Sequence, residues 1–496
     1  MKMRYALIAA AALMICTLCI SGSDASEVNS DGAEYVYETH GSEHPNYYCV
    51  ITSASKVPDL LYLPSVLEGY DVRTYASHAF DGCGMETVII PKNLKTIEDD
   101  AFTGCTSLKD VYFMGDRPEI GDSFLDGVTF HSLQDATGWT GTETIESVTA
   151  DGIEYAFLPD GAVVTGGFPI EGVITIPSKI DGRDVVRIGD YAFAGVMQDD
   201  GEVDRRNDFG QAILPEGLLS IGQRAFYYND VMDVNIPESV RDIQDEAFRA
   251  CERLEEVEFS KNLRYIGFEA YRDCHAIIEL NIPGTVEFMG DGAFYICENL
   301  RTLKVDTDIG PRTFGYCVSL EEATLGGSVS EIGSFSFYNC ENLRSVRIPD
   351  KVEMIGAEAF RGCSGLRSVD LNDVREIGRM AFRGCESLRS LAIPASVETI
   401  GGYAFADCIR LTEIDAYGKA PEGNDTVFLN VDAKIHCKES YEDSWNGSGF
   451  GLEVIGDLDG DEDELPIKVI VAIAILAALA AFSCVLVMKI RHSKRS

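Results

Sequence analysis

Apolar positions along this chain follow a pattern that returns every 22 or 23 residues over most of its length. A typical unit contains an Ala-Phe pair, then a cysteine, then an alternating apolar–polar run such as Ser345-Val346-Arg347-Ile348-Pro349. In two units Val196 and Asn229 replace the cysteine. Alternation with a period of two residues, closed by proline, predicts a short strand. A second extended segment follows and ends at Gly356, which we expect to adopt a positive φ at a corner.

The segment with the Ala-Phe pair predicts a brief helical turn that directs the phenylalanine inward. We place these aromatic residues in a core ladder: Phe248, Phe294, Phe337, Phe360, Phe382 and Phe405. The cysteines of the neighbouring slot form a second ladder: Cys251, Cys274, Cys297, Cys317, Cys340, Cys363, Cys385 and Cys408. Parallel stacked side chains do not readily adopt disulfide geometry. We therefore expect buried free thiols that behave as small hydrophobes.

A fixed period in the twenties predicts a solenoid, because one coil cannot bury its own apolar side. The repeat resembles that of BspA-type leucine-rich repeat proteins, Leu-x-x-Val-x-Ile-Pro-x-x-Val-x-x-Ile-Gly-x-x-Ala-Phe-x-x-Cys, over most of residues 33–455. The resemblance implies a surface protein that binds host or neighbouring-cell proteins or glycans. The predicted fold is a repeat solenoid with short β-strands and brief helical turns, in two capped arrays, followed by one C-terminal transmembrane helix.

Two parts of the chain open with similar segments and end in the same way. One ends with His131 and Trp139, and the other ends with His436 and Trp445. We therefore expect a short array (33–139) and a long array (151–455), joined by a linker (140–150). An acidic insertion within 196–209 lengthens one coil. We expect the extra residues to bulge from one corner as a solvated loop. The alternative is a calcium-binding loop, but the insertion lacks the ordered ligand spacing of a known one.

The chain ends predict export and membrane retention. Residues 1–25 have the basic, apolar and small-residue order of a signal peptide. An acidic spacer (456–466) precedes an uncharged stretch from Val469 to Met488, which is long enough to span a bilayer as a helix. The basic tail (489–496) places the C-terminus on the cytoplasmic side. We expect a single-pass protein of the cell membrane with its N-terminal ectodomain outside.

The distribution of charge argues against polyanionic binding partners over most of the surface and indicates one candidate ligand-binding surface. Residues 26–466 hold 34 basic and 80 acidic residues, a net charge of −46, which repels nucleic acid and anionic lipid. From Arg344 to Arg389, nine basic residues outnumber seven acidic ones. Arg344, Arg367 and Arg389 share one repeat slot and should stack about 5 Å apart. Either each pairs with a nearby glutamate, as Arg389 with Glu386, or they form with Arg347 a stripe that binds an anionic ligand.

Signals for chemistry are missing from the sequence. The seven histidines show no metal-ligand spacing, and there is no nucleophile elbow or phosphate-binding glycine loop. We therefore expect no enzyme, no metal and no cofactor. The expected function is a membrane-anchored platform for adhesion or recognition of an extracellular protein or glycan. The alternative is a structural cell-envelope protein without a specific ligand, which self-association of the ectodomain would favour. The sequence leaves the ligand and the oligomeric state open.

Overall fold

The computed structural model describes residues 24–28, 33–40, 48–121, 127–167, 172–197, 203–204 and 209–458. Most of the predicted signal peptide and acidic spacer, and the whole predicted transmembrane segment and tail, lie outside these ranges. Within these ranges, no helix has both the length and the apolar character needed to cross a membrane.

Each regular coil has three sides, and each side is hydrogen-bonded to the next coil. One coil contains a first strand (Ser345–Arg347), a second, shorter strand (Met354–Ile355) and a turn segment (357–363). We call these the front sheet, the back sheet and the turn side. On the turn side, the Phe360 amide donates to the Ala381 carbonyl over 2.7 Å. Three parallel ladders therefore hold the stack together.

The short array has two sheets. The strands of the front sheet, in chain order, are β4 (Leu60–Tyr62), β7 (Thr87–Ile90), β9 (Asp110–Phe113), β11 (Thr129–Ser132) and β12 (Glu143–Thr144). The strands of the back sheet are β1 (Asp24–Val28), β2 (Glu34–His40), β3 (Tyr48–Ser55), β5 (Val66–Leu67), β6 (Tyr70–Tyr75), β8 (Thr96–Ile97) and β10 (Glu119–Ile120). β1, β2 and β3 are antiparallel, and their sheet continues as parallel strands from β3 through β6, β8 and β10. The antiparallel strands close the first end of this stack.

In the long array the front strands form several short parallel sheets. They are β16 (Gly172–Thr175), β21 (Phe209–Ile213), β23 (Asp233–Asn235), β26 (Glu279–Ile282), β28 (Thr302–Val305), β29 (Glu322–Leu325), β30 (Ser345–Arg347), β32 (Ser368–Asp370), β34 (Ser390–Ile393), β36 (Glu413–Ala416), β37 (Lys434–Cys437) and β38 (Glu453–Ile455). The acidic insertion contributes a separate antiparallel hairpin of β19 (Val196–Met197) and β20 (Val203–Asp204).

The back sheet of the long array starts antiparallel and becomes parallel. Its strands are β13 (Ser147–Ala150), β14 (Ile153–Leu158), β15 (Gly161–Gly167), β17 (Lys179–Ile180), β18 (Arg183–Ile188), β22 (Ser220–Ile221), β24 (Asp242–Ile243), β25 (Tyr265–Ile266), β27 (Phe288–Met289), β31 (Met354–Ile355), β33 (Glu376–Ile377) and β35 (Thr399–Ile400). Single bridges at Ile309 and Ile332 continue the row between β27 and β31. Because most of these strands have only two residues, the coil turns sharply at this side.

The turn side is not helical, so the prediction of brief helical turns is wrong. Glu358 has a φ of 58° and Gly362 a φ of 76°, and left-handed residues cannot continue an α-helix. Alternate backbone amides of this side, those of Glu358, Phe360 and Gly362, bond to the neighbouring coil, and the amides between them bond three residues back in the same segment. The prediction for Gly356 is also wrong, because its φ is not positive. A Cβ at Gly356 would lie 2.5 Å from the backbone carbon of Gly333, so this glycine permits close approach of two coils.

Aromatic side chains fill the core of the long array. Phe337, Phe360, Phe382 and Phe405 stack with ring centroids 5.1–5.2 Å apart and an interplanar angle of 3°. The far end carries a 3-10 helix (Glu439–Tyr441) and α1 (Glu442–Asn446). The buried Trp445 on α1 donates its indole N–H to the Gly418 carbonyl over 2.9 Å. α1 therefore covers the end of the core.

The two stacks have separate cores and lie side by side. A third apolar cluster joins them, in which Ile89 of β7 packs with Leu158 of β14 and Val163 of β15. At its edge the Tyr62 hydroxyl donates to Asp160 over 2.8 Å. Residues 140–150, predicted as a linker, contain β12, which pairs with the short array, and β13, which pairs with the long array. Only residues 145–146 separate these two strands.

Candidate ligand-binding surface on the front sheet

The arginines of the shared repeat slot are placed in one exposed column. Arg344, Arg367 and Arg389 immediately precede β30, β32 and β34. The Arg367 amide donates to the Arg344 carbonyl over 2.8 Å, and the Thr412 amide donates to the Arg389 carbonyl over 3.1 Å. We call these three residues the arginine column. Their side chains are exposed at the corner between the turn side and the front sheet.

The column is only partly neutralised. Arg344 pairs with Glu321 of the preceding coil, with Nη2 and Oε2 2.5 Å apart. In the part of the chain that the structure describes, Arg367 and Arg389 form no ion pair. The pairing of Arg389 with Glu386 is therefore not found. The reason is geometric, because each side chain of the column lies beside the residue at the same repeat position in the adjacent coil. For Arg389 that residue is Thr412, which is neutral.

Arg347 lies on the outward face of β30, beside the column rather than in it. Its guanidinium is 3.8 Å from Asp350 and 3.8 Å from Asp370, its register partner on β32. Two carboxylates therefore balance this charge. Its side chain is 65% exposed, so a ligand can reach Arg347, but would compete there with both carboxylates.

Three serines that the sequence reasoning missed follow the arginines of the column. Ser345 and Ser368 are register partners on adjacent strands, and Ser390 begins the next front strand. The signal was present, since Leu-Arg-Ser occurs at 343–345, 366–368 and 388–390. Guanidinium groups and hydroxyls both donate hydrogen bonds to anionic oxygens. The surface can therefore offer several stacked donors to one extended anion.

The cysteine ladder has a structural role that its apolar character does not explain. Cys340 donates its thiol to the Phe314 carbonyl of the preceding coil, with Sγ and O 3.2 Å apart. Asn229 occupies the same slot in another coil, and its Nδ2 donates to the Phe193 carbonyl over 3.0 Å. The same sulfur contact recurs at Cys251, Cys274, Cys297, Cys317, Cys363, Cys385 and Cys408. The slot therefore holds a side-chain donor to a buried carbonyl, and at Phe314 this donor adds to the Cys317 amide, which bonds the same carbonyl over 3.3 Å.

These thiols are not suited to chemistry. All eight ladder cysteines are buried and free. Burial raises the pKa of Cys363 and of Cys317 to about 12, and it also raises the pKa of Cys340 well above its ordinary value. Because the thiolate is the reactive form, these three thiols are protonated and inert at neutral pH.

A charged histidine lies near the far end of the front sheet. His436 contacts Asp457 through Nδ1 at 2.8 Å and Glu413 through Nε2 at 2.7 Å. The hydrogen bond to Asp457, together with the Glu413 carboxylate, raises the pKa of His436 above its ordinary value. No group of histidine, cysteine, aspartate or glutamate side chains in the described ranges has the geometry of a metal site.

Comparison with known sequences decides the family. A profile of the BspA type leucine rich repeat region, with six copies, matches residues 63–148, 205–301 and 307–433. The chain belongs to the BspA-type leucine-rich repeat family. No curated protein matches it.

Several solved leucine-rich repeat structures are similar to the chain. The T. pallidum protein TpLRR is 25% identical, with 45% of this chain and 92% of that one covered and a TM-score of 0.35. A leucine-rich repeat protein from Bacteroides ovatus is 21% identical, with 84% and 98% covered and a TM-score of 0.40. A leucine rich cell surface protein from Faecalibacterium prausnitzii is 18% identical, with 88% and 100% covered and a TM-score of 0.30.

Proposed function

We propose that the chain is a membrane-anchored surface protein whose solenoid binds an extracellular anionic polymer, such as a sulfated glycan or an acidic protein segment, on the arginine column. Membership of the BspA-type family supports a surface binding protein without enzymatic activity. The signal peptide predicted at residues 1–25 and the membrane span predicted from Val469 to Met488 support display outside the membrane.

One observation carries the choice of ligand. The ectodomain has a net charge of −46, yet Arg367 and Arg389 are exposed and have no carboxylate partner in the described ranges. Exposed arginines without a carboxylate partner in the described ranges also occur elsewhere, as Arg241 and Arg375 do, whereas here two such guanidinium groups lie in adjacent coils beside a third that is exposed next to Glu321. The planar guanidinium can hold a carboxylate or sulfate through two parallel hydrogen bonds. Because the coils fix the spacing of the column, an extended polymer can contact all three arginines.

Binding of heparin, as a sulfated probe, to residues 26–466 tests the proposal. Replacing the arginine column with serine (Arg344→Ser, Arg367→Ser and Arg389→Ser) should remove about 1–3 kcal/mol of binding free energy, because exposed charge contacts contribute up to about 1 kcal/mol each. That corresponds to a loss in affinity of about fivefold to a hundredfold. The loss should shrink as salt is raised, because salt screens exposed charges.

The matched control changes three arginines at the back-sheet corner. Arg241 and Arg264 stack there, and Arg375 occupies the same corner of a later coil. Their replacement by serine alters the net charge equally and should leave heparin affinity within about twofold. Equal losses in both variants, or no loss in either, would refute a site on the column. Concentration-dependent self-association without any saturable ligand would favour the structural cell-envelope alternative.

A further inference from the structure

The contact between the two arrays contains polar groups that apolar packing alone does not require. The hairpin of β5 and β6 in the short array projects onto the corner that follows the back sheet of the long array. Gln223 of that corner accepts hydrogen bonds from the amides of Ser65 (2.7 Å) and Val66 (2.8 Å) and donates to the Val66 carbonyl (2.8 Å). All three residues are fully or almost fully buried. The hairpin is therefore docked through directed hydrogen bonds.

An ion pair follows the glutamine contact along the same corner. Arg224 contacts Asp71 of β6 at 2.5 Å and Glu246 of the next coil at 2.8 Å. It also donates to the Gly69 carbonyl over 3.3 Å. Because Glu246 is completely buried, this arginine neutralises a carboxylate that lies beneath the docked hairpin.

Beyond the ion pair, three carboxyl groups from both arrays interact. Glu68 comes from the tip of the hairpin, and Asp245 and Asp291 come from two corners of the long array, with the corner that holds Phe268 between them. Asp245 is 1% exposed, and its Oδ1 accepts from the Phe268 amide over 2.9 Å and from the Tyr265 hydroxyl over 3.4 Å. Its Oδ2 is buried and has no hydrogen-bond partner. We call Glu68, Asp245 and Asp291 the acid latch.

The charges around the acid latch favour proton uptake. Asp245 faces the carboxylates of Glu68 and Glu246. Asp291 faces Glu68, Glu331 and one cation, Arg312, at 3.7 Å. Glu68 faces the same Arg312 and the Tyr37 hydroxyl. Arg312 balances part of the charge of Glu68 and Asp291, and the three carboxyl groups of the latch cannot all be ionised without mutual repulsion.

The opposite end of the contact is apolar. Ile145 lies between β12 and β13 and is 2% exposed within the cluster that contains Ile89 and Leu158. Residues 145–146 form the covalent link between the last strand of the short array and the first strand of the long array. The acid latch lies several coils further along the long array. This placement suits a hinge at one end and a releasable contact at the other.

We propose that the short array turns about residues 145–146, and that proton uptake by Glu68, Asp245 and Asp291 holds it docked on the long array. This inference goes beyond ligand binding and does not depend on it. Burial raises the pKa of Asp245 to about 8, of Asp291 to about 7 and of Glu68 in the same direction. A raised pKa in the docked state means that docking is strongest at low pH and is lost as pH rises through these values.

Hydrogen exchange of the full-length chain tests the hinge. The readout is the protection of the Ser65 and Val66 amides, corrected for the intrinsic exchange rate at each pH. Between about pH 5 and about pH 9, protection should fall at least about tenfold in the parent protein, since one pH unit changes the occupancy of a proton site about tenfold. Amides in residues 352–363 of the distant coils should keep their protection.

Two variants separate the latch from a general effect of pH. Asp245→Asn with Asp291→Asn mimics the protonated carboxyls and should keep hairpin protection at both pH values. The control, Glu252→Gln with Asp432→Asn, changes two exposed acids and should behave as the parent does. Gln223→Ala removes the docking contacts and should lower hairpin protection at both pH values. An unchanged parent, a double variant that still responds to pH, or a fully protected Gln223→Ala variant would each overturn the proposal.

Discussion

Replacement of Cys340 distinguishes two explanations of the cysteine ladder. If the thiol acts only as a small hydrophobe, alanine should be tolerated better than serine, because a buried hydroxyl costs free energy. If the thiol acts as a donor, serine should be better than alanine. The structure supports the donor, since Cys340 is completely buried and its sulfur lies 3.2 Å from the Phe314 carbonyl.

The expected change in the free energy of unfolding follows from the contacts that the alanine substitution removes. Cys340→Ala removes one of the two hydrogen bonds to the Phe314 carbonyl, which still accepts from the Cys317 amide over 3.3 Å. The lost bond costs about 0.5–1.5 kcal/mol, and the cavity left by one heavy atom adds about 1 kcal/mol. Cys340→Ser leaves a cavity of similar size but keeps a donor. We therefore expect alanine to lower the free energy of unfolding by about 1.5–2.5 kcal/mol and serine by about 0.5–1.5 kcal/mol less than that.

Equilibrium urea denaturation, followed by circular dichroism, measures the difference. Both variants should shift the midpoint without changing the slope, because the surface exposed on unfolding is unchanged. The order of the two midpoints is the decisive result. An alanine variant as stable as the serine variant, or more stable, would refute the hydrogen-bond explanation and leave the ladder as simple packing.

Two further predictions concern other parts of the repeat. Gly356→Ala should destabilise the fold by about 1–3 kcal/mol, because its Cβ would lie 2.5 Å from the Gly333 backbone. The control is Gly327→Ala, whose Cβ meets nothing within 4 Å and which should be nearly neutral. Urea denaturation measures both variants. His436 should titrate by NMR above 6.5, and Asp457→Asn should lower its pKa. Because the pKa is raised, charged His436 stabilises its coil below about pH 6.5, and this contribution is lost as pH rises through the raised pKa. An unshifted pKa would contradict the contacts of His436 with Asp457 and Glu413.

Much of the fold follows from spacing alone. The period of the Ala-Phe pair predicted the solenoid, and the alternation around Val346 and Ile348 predicted a front strand, because both depend on which residues face a shared core. The turn side could not be predicted in this way. Glu358 adopts a left-handed φ that the sequence does not reveal, because stacking on the next coil rather than local preference fixes the backbone there.

The candidate surface was only partly predictable. A shared repeat slot indicated that Arg344, Arg367 and Arg389 would align, but their ion pairs depend on neighbouring coils, as the contact of Arg344 with Glu321 demonstrates. The contact between the arrays was not foreseen. It joins residues more than 150 positions apart, such as Val66 and Gln223, and such pairing leaves no periodic signal.

Footprinting of arginines tests the account's central claim most directly, because it locates the ligand on the surface. A guanidinium-reactive dicarbonyl would be applied to the protein with and without a sulfated oligosaccharide, and modification would be read by mass spectrometry. We predict that the ligand slows modification of Arg367 and Arg389 most, slows Arg344 less, and leaves Arg241 and Arg264 of the back-sheet corner unchanged. Protection of Arg241 and Arg264 equal to that of the arginine column, or no protection of the column by a bound ligand, would contradict the account.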